Sequence, residues 1–175
     1  MFIRIRMDTI ISPSQGQRLT FVSEAPESLL IEALIHPGAS TPSHKHLSQT
    51  ETFRVREGEL SLWSAGEKRV LEAGEELSVP ARTAHKFRND SENPVKVEVE
   101  LEPSLRSRQL FEALFALDRA GDLNRFGAPG PLNASLLVDQ YSEEFFYPAQ
   151  VAPGLMRALT KPLATLARGL GKSLS

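Results

Sequence analysis

The stretch Gly38–Gly58 reads GASTPSHKHLSQTETFRVREG. His44 and His46 stand two residues apart in it, so on an extended chain both imidazoles project from one face. Glu51 follows near the start of the next strand, where Glu51, Phe53 and Val55 share one face and Thr52, Arg54 and Arg56 the other. The carboxylate therefore points with the apolar residues, a position with a heavy desolvation cost that a cation offsets. Taken alone, the His-x-His pair reads more readily as two exposed loop histidines after Thr41-Pro42-Ser43, and Glu51 as a solvated strand-end charge.

The stretch Gly74–Asn89, GEELSVPARTAHKFRN, adds His85 after the loop Pro80 to Ala84, with Phe87 and Asn89 on its face. Three of the chain's four histidines thus converge with Glu51 on one cavity. His36 shares parity with Glu32 on an outer face, and no metal contact is expected of it. With no cysteine in the chain, thiolate sites and disulfides are excluded, and only nitrogen and oxygen ligands remain. His44, His46, Glu51 and His85 suit one divalent ion per chain. Iron, manganese, nickel, cobalt, copper and zinc all fit, whereas calcium and magnesium prefer oxygen shells.

Outward from these stretches the first hundred residues read as short strands separated by Gly, Pro, Asn or Ser: Phe2 to Met7, Arg18 to Ser23, Ser28 to His36, Thr50 to Arg56, Glu59 to Trp63, Lys68 to Leu71, Glu76 to Val79, His85 to Arg88 and Val95 to Leu101. Such a series means a sandwich or barrel. Val95, Val97, Val99 and Leu101 form one face of the last strand, against Lys96, Glu98 and Glu100 on the other. Leu30 and Leu34 make the outer face of Ser28 to His36 apolar, which calls for a cover.

After Pro103 the period becomes helical: Leu110, Phe111, Leu114, Phe115 and Leu117; then Leu136, Leu137, Tyr141 and Phe145; then Leu155, Met156, Leu159, Leu163, Leu166 and Leu170. Gly121 to Leu132 reads as a long loop. Barrel (1–103) and helical extension (104–175) are read as one domain. The tail from Val151 carries Arg157, Lys161, Arg168 and Lys172 and no acid, a composition compatible with a membrane-surface helix. Packing onto the barrel or a partner subunit is the preferred reading, because Leu30 and Leu34 need covering and Pro162 would kink a helix lying on lipid.

Across 175 residues, 41% hydrophobic and 24% charged residues with a net charge of -2 describe an ordinary folded chain and argue against nucleic acid as a partner. Met1 to Met7 lacks the apolar core of a signal peptide, and no window reaches the roughly 18 apolar residues of a spanning helix, so a cytoplasmic protein without membrane contact is expected.

These motifs resemble the two signatures of the cupin superfamily. Gly38, five residues, His44, one residue, His46, four residues, Glu51, six residues and Gly58 match the first throughout. Gly74, five residues, Pro80, then Thr83, Ala84, His85 and Asn89 match the second, except that Arg82 stands where the family usually has glycine. Fifteen residues separate Gly58 from Gly74, as in compact microbial cupins. The resemblance implies an all-β fold, a double-stranded β-helix (jelly-roll-like) barrel, here with a C-terminal helical extension, and pairing into a homodimer through strands such as Phe2 to Met7. Gly38, Gly58 and Gly74 fall where barrel corners need positive φ. Phe53, Leu62 and Phe87, if inward, form an apolar wall suited to a small organic ligand, and equally to any barrel core. The family implies a metal-dependent dioxygenase or related enzyme on a small organic molecule. A non-catalytic binding or sensing module, an isomerase or cyclase, and a purely structural metal share the same four residues. Arg82 beside the ligand loop is read as solvated in preference to an anion contact, and no motif places a further acid or base near the ion.

Overall fold

The computed structural model describes residues 8–124, 127–145 and 151–174. Among the described residues nine strands precede three helices: β1 (Asp8–Ser12), β2 (Gln17–Glu24), β3 (Leu29–Ile35), β4 (Thr50–Glu57), β5 (Glu59–Ser64), β6 (Glu67–Glu72), β7 (Glu76–Val79), β8 (His85–Arg88), β9 (Val95–Glu102), α1 (Ser107–Arg119), α2 (Pro131–Tyr141) and α3 (Pro153–Gly169). A six-stranded sheet runs β1-β2-β3-β9-β4-β7 and a three-stranded sheet β6-β5-β8, all antiparallel. One core joins them, with Phe21, Ile31, Phe53, Val97 and Leu101 from the large sheet and Leu60, Leu62, Leu71 and Phe87 from the small one. The all-β expectation with a helical extension holds.

Alternation sets each face. Along β9, Val95, Val97, Val99 and Leu101 are buried, while Arg54 of β4 reaches across the outer face to Glu98 and Glu100 at 3.2 and 2.9 Å. Gly58 turns β4 into β5 at φ 85°, and a Cβ there would come within 3.2 Å of Val95 Cγ2, so both backbone hand and space require glycine. Arg82 adopts φ 66° in the position where the family favours glycine. Its backbone N–H donates to the His46 carbonyl at 2.7 Å, a bond between the two ligand loops that holds the left-handed turn.

β1 follows the expected strand Phe2 to Met7, which lies outside the described residues, as does the pairing proposed for it. DTIIS has adjacent isoleucines and no alternation, and Ile11 is exposed, so period two was not available to reveal β1.

The extension divides. On α1, Phe115 enters the barrel core with Phe111 and Leu114 against it. Asp118, in the last turn, accepts from Ser12 Oγ at 2.7 Å, Ser14 N at 3.1 Å and Ser14 Oγ. An acid opposes the helix dipole there, and these bonds to the β1–β2 turn compensate. α3 packs within the extension. Leu155, Leu159, Leu163, Leu166 and Leu170 are exposed, and the helix packs through Ala164 and Ala167 against Leu136 of α2, because small side chains allow the two helices to approach closely. α3 also runs through Pro162. Leu30 and Leu34 are half-buried. No helix among the described residues is long and apolar enough to cross a membrane.

Candidate metal centre

Strand pairing brings the four expected ligands together. The His44 segment meets β8 in one antiparallel bridge, His44 N to His85 O at 3.0 Å and His85 N to His44 O at 2.9 Å. Glu51 opens β4 between Val79 of β7 and Leu101 of β9. All four side chains are buried, and one ligand atom from each lies within 4.8 Å of the others. His36 is exposed at the end of β3.

The hydrogen bonds fix which nitrogens face inward. His44 Nδ1 donates to the Pro42 carbonyl at 2.9 Å, His85 Nδ1 to the Thr83 carbonyl at 2.9 Å, and His46 Nδ1 to the Glu144 carbonyl. With Nδ1–H spent on carbonyls, each neutral ring presents an Nε2 lone pair to the interior. Yet His46 Nε2 and His85 Nε2 lie 3.0 and 2.7 Å from the same Glu51 Oε2, an acceptor. Lone pairs so close to a carboxylate repel unless a cation stands between them. That cation is either a second proton on the imidazole or a metal ion, and the donor set of three nitrogens and one carboxylate fits a transition metal.

Electrostatics follow from the same geometry. Burial, reinforced by the charges of His85 and His46, holds His44 well below the usual imidazole range. Burial alone would raise Glu51, but the charges and hydrogen bonds of His46 and His85 outweigh it and keep the carboxyl far below the ordinary carboxylate range. Burial would lower His85, and here Glu51 and the Thr83 carbonyl win and raise it.

A cavity of about 60 Å³ adjoins the donors. Phe53 and Phe87 line it, and Phe53 also stands edge-on to His85 at 6.3 Å between ring centroids. Leu62 does not line it: opposite Phe87 in the β5–β8 ladder, it is fully enclosed in the core. Arg82 is exposed on its turn. Asn89 serves the fold, donating to the Ile35 and Asn93 carbonyls and accepting from Ser91.

Sequence reading missed the tail's share of this wall. Leu47 N donates to the Glu143 carbonyl at 2.9 Å, and Phe145 stacks on His44 with centroids 4.4 Å apart. Phe145 lies beyond the end of α2, so it does not belong to the helical stripe expected of it. Glu144 is 2% exposed and lines the cavity. Its Oε1 accepts from Arg106 N and Nε, and its Oε2 is buried without a hydrogen-bond partner. The only signal was a Glu-Glu-Phe run after a helix, which has no fixed spacing to the histidines.

The cupin domain family model matches residues 31–101. The chain is 35% identical over 78 residues, 45% of its length, to quercetin 2,3-dioxygenase of Bacillus subtilis. Over 68 residues, 39% of its length, it is 31% identical to an uncharacterized protein of Methanocaldococcus jannaschii. It spans 20% of the first relative and 54% of the second. An RmlC-like cupin from Shewanella frigidimarina superposes with a TM-score of 0.54 at 18% identity, over 59% of this chain and 89% of that one. KdgF from Halomonas sp. does so with a TM-score of 0.51 at 20% identity, over 58% and 99%. At such identities the structures establish the fold. With the barrel topology, both motifs and the matched model in agreement, residues 31–101 of this chain form a cupin domain.

Proposed function

We propose that this cupin holds one divalent transition metal through His44, His46, Glu51 and His85 and acts on a small organic molecule, with oxygenase chemistry as the leading activity. The observation that carries the metal is the convergence of His46 Nε2 and His85 Nε2 on Glu51 Oε2 while each Nδ1 is engaged by a carbonyl. Likeness over 78 residues to quercetin 2,3-dioxygenase supports the activity. When bound, the ion supplies Lewis acidity and exchangeable positions for a chelating substrate.

The chain's own residues do the rest. Carbonyls of Pro42, Thr83 and Glu144 orient the imidazoles. Phe53, Phe87 and Phe145 exclude water from the cavity. Glu144 Oε2 is the free acceptor available to a substrate O–H. Pairing of two copies and residence in the cytoplasm belong to the same proposal.

Anaerobic loading with ferrous ion, followed by nitric oxide titration under electron paramagnetic resonance, tests the activity. A ferrous-nitrosyl signal is expected, and its absence in fully loaded protein would contradict oxygenase chemistry.

A further inference from the structure

A second cavity, of about 190 Å³, lies beside the metal cavity and is built largely by the helical extension. Its own walls include Leu114 of α1, Ala134, Leu137 and Val138 of α2, and Leu123 in the loop between them. Gln17, Thr41, Leu110, Phe111 and Phe145 line both cavities, so the two share a wall. Gln17 and Thr41 are its polar members, the others apolar. Phe145 is the same ring that stacks on His44.

The chamber is partly open to solvent, with Ser12, Gln15 and Ser40 also on its strand side, while its helical walls are apolar and leave that side a surface better covered by an apolar group than by water. Two sets of bonds hold these walls apart. On one side Asp118 fastens the end of α1 to Ser12 and Ser14. On the other, Gln49 Nε2 donates to Ser107 Oγ at 2.8 Å and to the Pro103 carbonyl at 2.6 Å, fixing the start of α1. Against the helical walls water is a poor occupant, since it needs two to four polar partners and Leu110, Phe111, Leu114, Ala134, Leu137 and Val138 offer no polar side chain. An apolar cavity of about 150 Å³ suffices for benzene.

We propose that this chamber receives the apolar arm of the substrate. The substrate class is then a small molecule with a chelating oxygen head, directed to the histidine site, and an arm the size of a substituted benzene ring or a chain of about six carbons. The placement of the head rests on the metal reading above, whereas the affinity of the chamber for apolar groups does not.

The test has two arms. Toluene is titrated into metal-free protein under ligand-observed nuclear magnetic resonance, with Ala134→Trp to fill the chamber and Ala134→Leu as a milder filling should the tryptophan disturb folding. Toluene is expected to bind the native chain, at least tenfold more weakly to Ala134→Trp, and with intermediate affinity to Ala134→Leu. No binding to the native chain, or equal binding by variants that melt like it, would overturn the proposal. In the second arm acetohydroxamate, hexanohydroxamate and octanohydroxamate are titrated into metal-loaded protein. Affinity is expected to rise about threefold per methylene as the arm enters the chamber, and Ala134→Trp to flatten that rise while leaving acetohydroxamate unchanged. Equal affinity along the native series would overturn the shared-wall assignment. Failure of the metal to bind would defeat the metal reading and leave the toluene result standing, so the two failures are distinguishable.

Discussion

On the barrel side of the centre, strand ladders place the imidazoles: the His44–His85 bridge sets two of them side by side, tilted 57° with centroids 4.3 Å apart, and β4 carries Glu51 between β7 and β9. On the tail side, a backbone carbonyl of Glu144 holds His46 and the ring of Phe145 lies on His44. Both sides touch the same side chains, yet they are encoded differently. A ladder fixes side-chain direction at every second residue, so ligand position can be read from spacing. The tail segment reaches the site only after two helices have packed, and a carbonyl contact places no demand on residue type.

Cutting the link between the two regions gives the largest expected effect. Asp118→Ala leaves Ser12 Oγ and the Ser14 amide without their charged acceptor and is expected to cost about 2 kcal/mol in thermal or denaturant unfolding. Metal stoichiometry stays unchanged if the barrel alone positions the ligands. A loss of metal in a folded Asp118→Ala protein would show that the tail wall is required for the site.

A smaller effect comes from pH and concerns the barrel side. His85 is raised above the usual imidazole value, so in metal-free protein its contribution to stability is full below about pH 6.5 and is lost as pH rises through the folded value. Metal uptake must displace that proton, so affinity moves the opposite way. It is expected to fall by more than tenfold from pH 7.5 to 5.5 by titration calorimetry. His44, held well below the usual imidazole range chiefly by burial, contributes less to this dependence than His85. Glu51, depressed, adds stability that is lost only in acid, as pH falls below about 4.5 toward its folded value. Metal affinity independent of pH over this range would contradict the ligand assignment.

The smallest effect separates the motif from its local departure. Arg82→Gly relieves a left-handed arginine and keeps the amide bond to His46, so a gain of up to about 1 kcal/mol is expected in thermal unfolding. Destabilisation would mean that the Arg82 side chain contributes something its exposure does not suggest.

Against these tests, what was legible becomes specific. Glu51, Phe53 and Val55 declared their inward face by alternation, and Gly58 its turn by residue type. Leu62 was legible as core but not as lying outside the cavity lining, because alternation gives the face of a sheet and not the position along the barrel axis. The leucines of α3 form a clear stripe, but a stripe does not say which neighbour it meets, and here the alanines beside it make the contact. Glu144 and Phe145 depended on tertiary packing alone.

The central claim is that three imidazoles and one carboxylate form a single transition-metal site. Titration of metal-free protein with cobalt(II), followed by visible absorption and elemental analysis, tests it most directly. The account predicts saturation at one equivalent per chain, unchanged in His36→Ala and abolished in the His44→Ala, His85→Ala double variant. Full cobalt binding by the double variant would contradict it.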